Sequence, residues 1–248
     1  MAAAGRTTAE PPSHQGCAIS SVRLRPPARR GELRDRHEDG HRLHHLLWRL
    51  GPGVRVCSSA VLGGGIGTRA WILNAQVPGG YPRIDPDRHL AEIAAAEGLT
   101  GPGAGLMTAA DVAAYTTGQD GGVTATATAG LGVRGWAAAP EPLFPPGSEE
   151  VPAAPFRPGT VNIVVTLPVA LSDAALVNAV ATATEAKVQA LLDAGLDCSG
   201  TPTDAVCVAA PEPGPDGGEP FAGPRSTWGA RIARAVHTAV LAGARTAP

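Results

Sequence analysis

Lysine is almost missing from this sequence. Lys187 stands alone among 20 basic residues, the other 19 being arginine. Cysteine is also scarce: Cys17, Cys57, Cys198 and Cys207 form no C-x-x-C pair and have no histidine at a metal-like interval. That pattern excludes an ordinary zinc module and a disulfide framework. No stretch of 18 apolar residues occurs, and no charged segment leads into an apolar one as in a secretory signal. These absences predict a cytoplasmic protein with reduced thiols, without membrane contact. The net charge of −2 gives no electrostatic case for a nucleic-acid partner. Neither G-K-[ST] nor G-x-S-x-G is present, so a Walker loop and a nucleophile elbow are excluded.

What is there is unevenly spread. The first 50 residues hold nine arginines against five acidic residues and five of the seven histidines, so the rest of the chain is net acidic. Residues 1–36 lack apolar periodicity and are broken by Pro11, Pro12, Pro26 and Pro27, which predicts a disordered basic extension before a single domain at 37–248. Residues 41–50 and 54–59 flank Gly51-Pro52-Gly53 and predict two strands around a turn. In a strand His44 and His45 point to opposite faces and cannot ligate one metal together.

Residues 158–209 carry the clearest pattern. The β-branched run 161–167 reads as a buried strand that Pro168 ends. A helix follows, with Ser172 as N-cap, Asp173 in its first turn and Gly195 as its stop. Leu176, Val177, Val180, Thr184, Val188, Leu191 and Leu192 predict its apolar face, with Glu185 and Lys187 on opposite borders. A lone lysine in an arginine-only chain points to a role for a compact ammonium, although rim charges also snorkel to water.

Elsewhere, glycines at 63–65 and 67 make a tight loop whose backbone amides can approach a ligand. Residues 71–78 predict a strand, 85–97 a short helix with Pro86 in its first turn, and 103–112 a strand and turn. Residues 122–131 alternate threonine as a strand, and 226–241 form an amphipathic helix along Trp228, Ile232, Val236 and Val240. The proline-rich stretches 139–158 and 211–224 read as connections. Residues 54–109 and 123–209 share an order of elements, which predicts a duplicated β-β-α-β unit in a mixed α/β (α+β) sheet faced by helices. Asn74 and Asn162 then occupy equivalent places, with a cleft where the units meet.

The blocks G-G-G-I-G (63–67), L-N-A-Q-V-P (73–78), G-L-M-T-A-A (105–110), P-G-T-V-N-I (158–163), T-A-T-E-A-K (182–187) and G-T-P-T-D-A (200–205) resemble the adenosylcobinamide amidohydrolases. So does F-A-G-P-R-S-T-W-G (221–229), and the likeness runs over about residues 40–243. It departs at Pro202, where the family usually has alanine, and in the proline-rich connection at 139–158.

The resemblance implies a corrinoid-salvage enzyme. It would cut the amide joining aminopropanol to the corrin ring of adenosylcobinamide, a small-molecule substrate, giving adenosylcobyric acid. Such chemistry needs an activated water, donors for the oxyanion and a proton for the leaving amine. The expected base is Glu185, with Asp204 as partner or proton donor and Lys187 and Thr203 beside them. Asn74, Asn162, Ser58, Thr108, Thr201 and the amides of Gly64 and Gly65 are expected to hold the substrate. No metal or organic cofactor is expected, and a homo-oligomer is compatible with these blocks. A corrinoid or nucleotide carrier without chemistry is the alternative; it would keep working after Glu185→Gln.

Overall fold

The computed structural model describes residues 30–139 and 159–246. Residues 1–29 of the expected extension, and residues 140–158 of the first proline-rich connection, lie outside the described residues.

Ten strands form two sheets rather than one. The first has the order β1 (Glu32–Glu38), β2 (His41–Arg49), β5 (Trp71–Gln76), β6 (Gly103–Thr108). The second runs β4 (Gly65–Thr68), β3 (Val54–Ser58), β10 (Ala205–Pro211), β9 (Gly159–Thr166), β8 (Val123–Leu131), β7 (Thr116–Asp120). Pairing is parallel for β5 with β6 and for β9 with β10, and antiparallel elsewhere. The mixed α/β class therefore holds. The sheets meet through Leu46, Trp48, Val56, Ile72, Leu106, Val164 and their neighbours. Helix α1 (Pro86–Ala96) covers the outside of the first sheet with Leu90, Ile93 and Ala94. Helices α2 (Asp173–Asp193) and α3 (Thr227–Thr246) cover the outside of the second with Leu176, Leu191, Ile232 and Val236.

Several sequence expectations shift. Residues 32–36 belong to β1, each opposite a residue of β2, so the folded part reaches back to the first described residues. β2 and β3 are no hairpin: the left-handed Gly51 and Gly53 carry the chain from one sheet to the other. Gly65 and Gly67 lie in edge strand β4, which leaves a shorter glycine loop. The duplicated β-β-α-β unit does not appear, because β3 pairs with β10 rather than with its expected neighbour β5. What recurs is a smaller parallel unit, β5-α1-β6 and β9-α2-β10.

Helix α2 starts and stops as its sequence predicts. Ser172 Oγ accepts from Ala175 N, and Gly195 turns left-handed after the last turn. Its buried face differs, however. Ala175, Ala179, Ala183, Ala186 and Ala190 face inward with Leu176 and Leu191, while Val177 is 55 % and Leu192 46 % exposed. α2 packs on both a sheet and α3, and small side chains permit that close approach.

Candidate functional site

One end of the sheet pair gathers most of the expected residues. The carboxyl ends of β3, β5, β6 and β8 and the amino ends of β9 and β10 meet there, by register and by contacts across the sheets. Asn74 on β5 and Asn162 on β9 both point between the sheets and touch. Asn162 Nδ2 donates to Asn74 Oδ1 at 2.8 Å and to Met107 O at 3.0 Å. Asn74 Nδ2 donates to Thr128 Oγ1 at 3.0 Å. All three side chains are essentially buried, yet Asn162 Oδ1 has no hydrogen-bond partner. An orphaned buried carbonyl costs about 1–3 kcal/mol, so this acceptor is held for something or at a loss.

Lys187 and Asp204 form the second feature. Lys187 comes from the last third of α2 and reaches Asp204 just before β10. Asp204 also accepts from Thr201 N at 3.1 Å, Thr201 Oγ1 at 2.5 Å and Val161 N at 2.7 Å. Four donors on two oxygens leave it no free lone pair of good geometry, so it anchors rather than attacks. Gly200 makes room for the pair. It has φ +148°, and a Cβ there would collide with both Asp204 Oδ2 and Lys187 Nζ. Next to it Thr160 and Thr203 share a 2.6 Å hydroxyl contact, and Thr203 Oγ1 donates to Gly159 O at 3.0 Å. Thr160 therefore supplies the proton between the two hydroxyls.

The remaining candidates serve the frame. Ser58 Oγ donates to Val206 O and accepts from Ala60 N, and Thr108 Oγ1 accepts from Ala110 N. Gly65 pairs with Ser58 across β3 and β4. The carbonyls of Gly63 and Gly64 are both taken by the guanidinium of Arg69, at 2.7 and 3.3 Å. Glu185 is not brought to the cluster. It lies on the solvent side of α2, exposed and without a hydrogen-bond or ion-pair partner among the described residues. Two positions after it the helix has turned about 200°, which is why Lys187 is buried and Glu185 is not.

Thr128, Thr160 and Arg69 escaped the sequence reading. Thr128 sits on the alternating face of a recognised strand and Thr160 two positions before Asn162, so period-2 alternation from Asn162 could have found both. Among the described residues no three His, Cys, Asp or Glu side chains gather to hold a metal ion. Nor is any described helix long and apolar enough to cross a membrane. Cys207, fully buried, has its thiol pushed up to about 12 by desolvation, so it is no nucleophile.

The largest cavity lies at the other end. It has a volume of about 830 Å³ and opens where β9 and β10 finish, between Pro168, Pro211, Glu212, Asp216 and Glu219. None of the expected site residues lines it.

Comparison with known proteins decides the family. The sequence model for adenosylcobinamide amidohydrolases matches residues 30–247. A Methanosarcina mazei protein named adenosylcobinamide amidohydrolase is 33 % identical over 192 residues, covering 75 % of this chain and 88 % of that one. A Halobacterium salinarum protein of the same name is 42 % identical over 122 residues, 49 % of this chain and 50 % of its own length. With nearly every described residue inside the matched span, this chain belongs to the adenosylcobinamide amidohydrolase family.

Proposed function

We infer that this protein hydrolyses the amide between aminopropanol and the corrin ring of adenosylcobinamide, releasing adenosylcobyric acid for cobamide salvage. The observation that carries the reading to particular residues is the free carboxamide oxygen of Asn162, buried at 1 % exposure beside Asn74 and Thr128. Its two amide protons are already spent on Asn74 and Met107. What it can still do is accept, and a scissile amide or an attacking water brings the N–H or O–H that it lacks. Asn74 and Thr128 fix that carboxamide in orientation, which favours a rigid clamp on the reacting group.

Around the clamp, Lys187 and Asp204 hold the 200–204 turn against α2, and the Thr160–Thr203 pair lines the same rim. This supports Asp204, Lys187, Thr201 and Thr203 as residues that shape the site, and the clamp as the part that meets substrate. Incubating purified protein with adenosylcobinamide tests the reading. Adenosylcobyric acid and free aminopropanol should appear together. Tight binding of the intact substrate without either product would instead establish the carrier reading.

A further inference from the structure

The clamp supplies acceptors and anchors but no group free to take a proton from water. Such a group stands a short way along the same rim. After β5 ends at Gln76 the chain loops through Tyr81 into α1, whose first turn carries His89. Tyr81 Oη lies 2.8 Å from His89 Nδ1, and the two rings stack with centroids 5.6 Å apart. On the far side of the imidazole, Glu38 Oε1 lies 2.8 Å from Nε2. Glu38 is in turn fixed by Arg36, whose Nε donates to it at 2.9 Å and whose Nη2 donates to Gln76 O at 2.6 Å. Gln76 is two residues beyond Asn74, and Val77 N bonds Thr108 O. The assembly is therefore tied to the strand end that carries the clamp.

The carboxylate sets the imidazole proton on Nε2 and leaves Nδ1 to accept from the phenol. Hydroxyl, imidazole and carboxylate in this order are the wiring of an activated hydroxyl. Among the described residues His237 is the other candidate outside β2. It meets only Asp193 on the surface and has no hydroxyl behind it.

We propose that Tyr81, backed by His89 and Glu38, is the proton-exchanging residue of the hydrolysis, a role that rests on the amidohydrolase reading above. Water attacks the amide carbon and forms the new C–O bond. Its proton passes to Tyr81 Oη as the phenol's own proton passes to His89 Nδ1. The imidazolium so formed sits between Tyr81 and Glu38. When the C–N bond breaks, the proton returns through Tyr81 to the leaving nitrogen. A carboxylic acid and an amine result, and the proton count balances without an external acid. Burial pushes the Tyr81 phenol up, so it is neutral and has a proton to pass. Tyr81 is the catalytic residue in this scheme; His89 and Glu38 act through it.

Turnover then requires an unprotonated Nδ1 and falls on the acid side as His89 gains a proton. The charges facing the pair are Glu38 and Arg36 from β1, Arg83 and Asp85 from the loop, and Glu92 from α1. The test measures kcat, KM and their pH profiles with adenosylcobinamide for the full-length chain, Tyr81→Phe, His89→Gln and the double variant, beside their melting temperatures. Tyr81→Phe removes one oxygen and keeps the ring stack. Its kcat should fall about 10²–10³-fold with KM within about threefold, and the acid limb should vanish. His89→Gln should lose as much, and the double variant no more than either alone. A Tyr81→Phe enzyme with at least half the wild-type kcat and an unchanged acid limb overturns the relay, whatever its melting temperature, and makes the trio a clamp on the loop. A wild-type chain that releases no aminopropanol overturns the hydrolase reading and the relay with it.

Discussion

The two parallel units, β5-α1-β6 and β9-α2-β10, place an asparagine at the same depth between the sheets, and those asparagines bond to each other. Beyond that they diverge. The first has an 11-residue helix that covers its sheet alone and a network built on a histidine. The second has a 21-residue helix paired with α3 and a network built on an ammonium and a carboxylate with four donors. Both networks sit at the same rim, because each helix runs back against the strand before it. The contrast teaches a division of labour: a pair that is always charged can only hold, whereas an imidazole beside a phenol can hold and exchange protons.

The largest effect that probes this division is on stability. Lys187→Met strips a nearly buried carboxylate of its cation and should cost about 3–5 kcal/mol in a denaturant unfolding curve. The matching change in the first unit, Glu38→Gln, should cost only about 1 kcal/mol, since a neutral histidine tolerates a neutral partner. Equal losses would break the comparison. Next in size is the asparagine pair. Asn162→Ala leaves Asn74 Oδ1 and Met107 O unpaired, at about 2 kcal/mol, and should lower kcat at least about tenfold in protein that remains folded. If folded Asn162→Ala turns over normally, the clamp is structural.

A third prediction uses pH. His45 on β2 is fully buried, with Nε2 3.1 Å from Glu97 Oε1 but neither ring nitrogen hydrogen-bonded. Desolvation holds it below the ordinary histidine value of 6.5, against the pull of Glu97. The unfolded chain therefore takes up this proton first as pH falls. Stability is full above about pH 6.5 and drops below it, by at most about 1.4 kcal/mol per pH unit, until His45 itself protonates. Melting curves between pH 8 and pH 5 should show that slope, and His45→Gln should flatten it. The smallest effect belongs to Glu185→Gln, whose turnover should stay within about twofold of wild type because the side chain faces water alone. A loss of 10²-fold would return the base to α2. Prolonged treatment with a strong chelator should likewise leave turnover intact; loss rescued by one divalent metal would refute that.

Much of this was legible in the chain. The N-cap at Ser172, the stop at Gly195, the burial of 161–167 and the equivalence of Asn74 and Asn162 all follow from local patterns, and the structure keeps them. The singular Lys187 did mark a special place. What sequence could not give was partner choice. A periodic face says that one side of α2 is buried, but alanine is nearly neutral in such a count, so the Val177–Leu192 side looked inward. Glu185 followed that error outward. The pairing of β3 with β10 spans too much chain for any local signal. The Glu38–His89–Tyr81 trio was hidden for the same reason, being assembled from three separate elements.

That long-range pairing has a consequence during synthesis. Ser58 waits for Val206, 148 residues later, and Asn74 for Asn162, 88 residues later. Until β10 has left the ribosome, β3 and β4 have no sheet to join and the clamp has no floor. Contacts this distant in sequence close slowly and last. A truncated product ending before Ala205 therefore exposes the apolar edges of β3 and β9 and carries no site at all, which makes it a natural client for chaperones and proteases rather than a half-active enzyme.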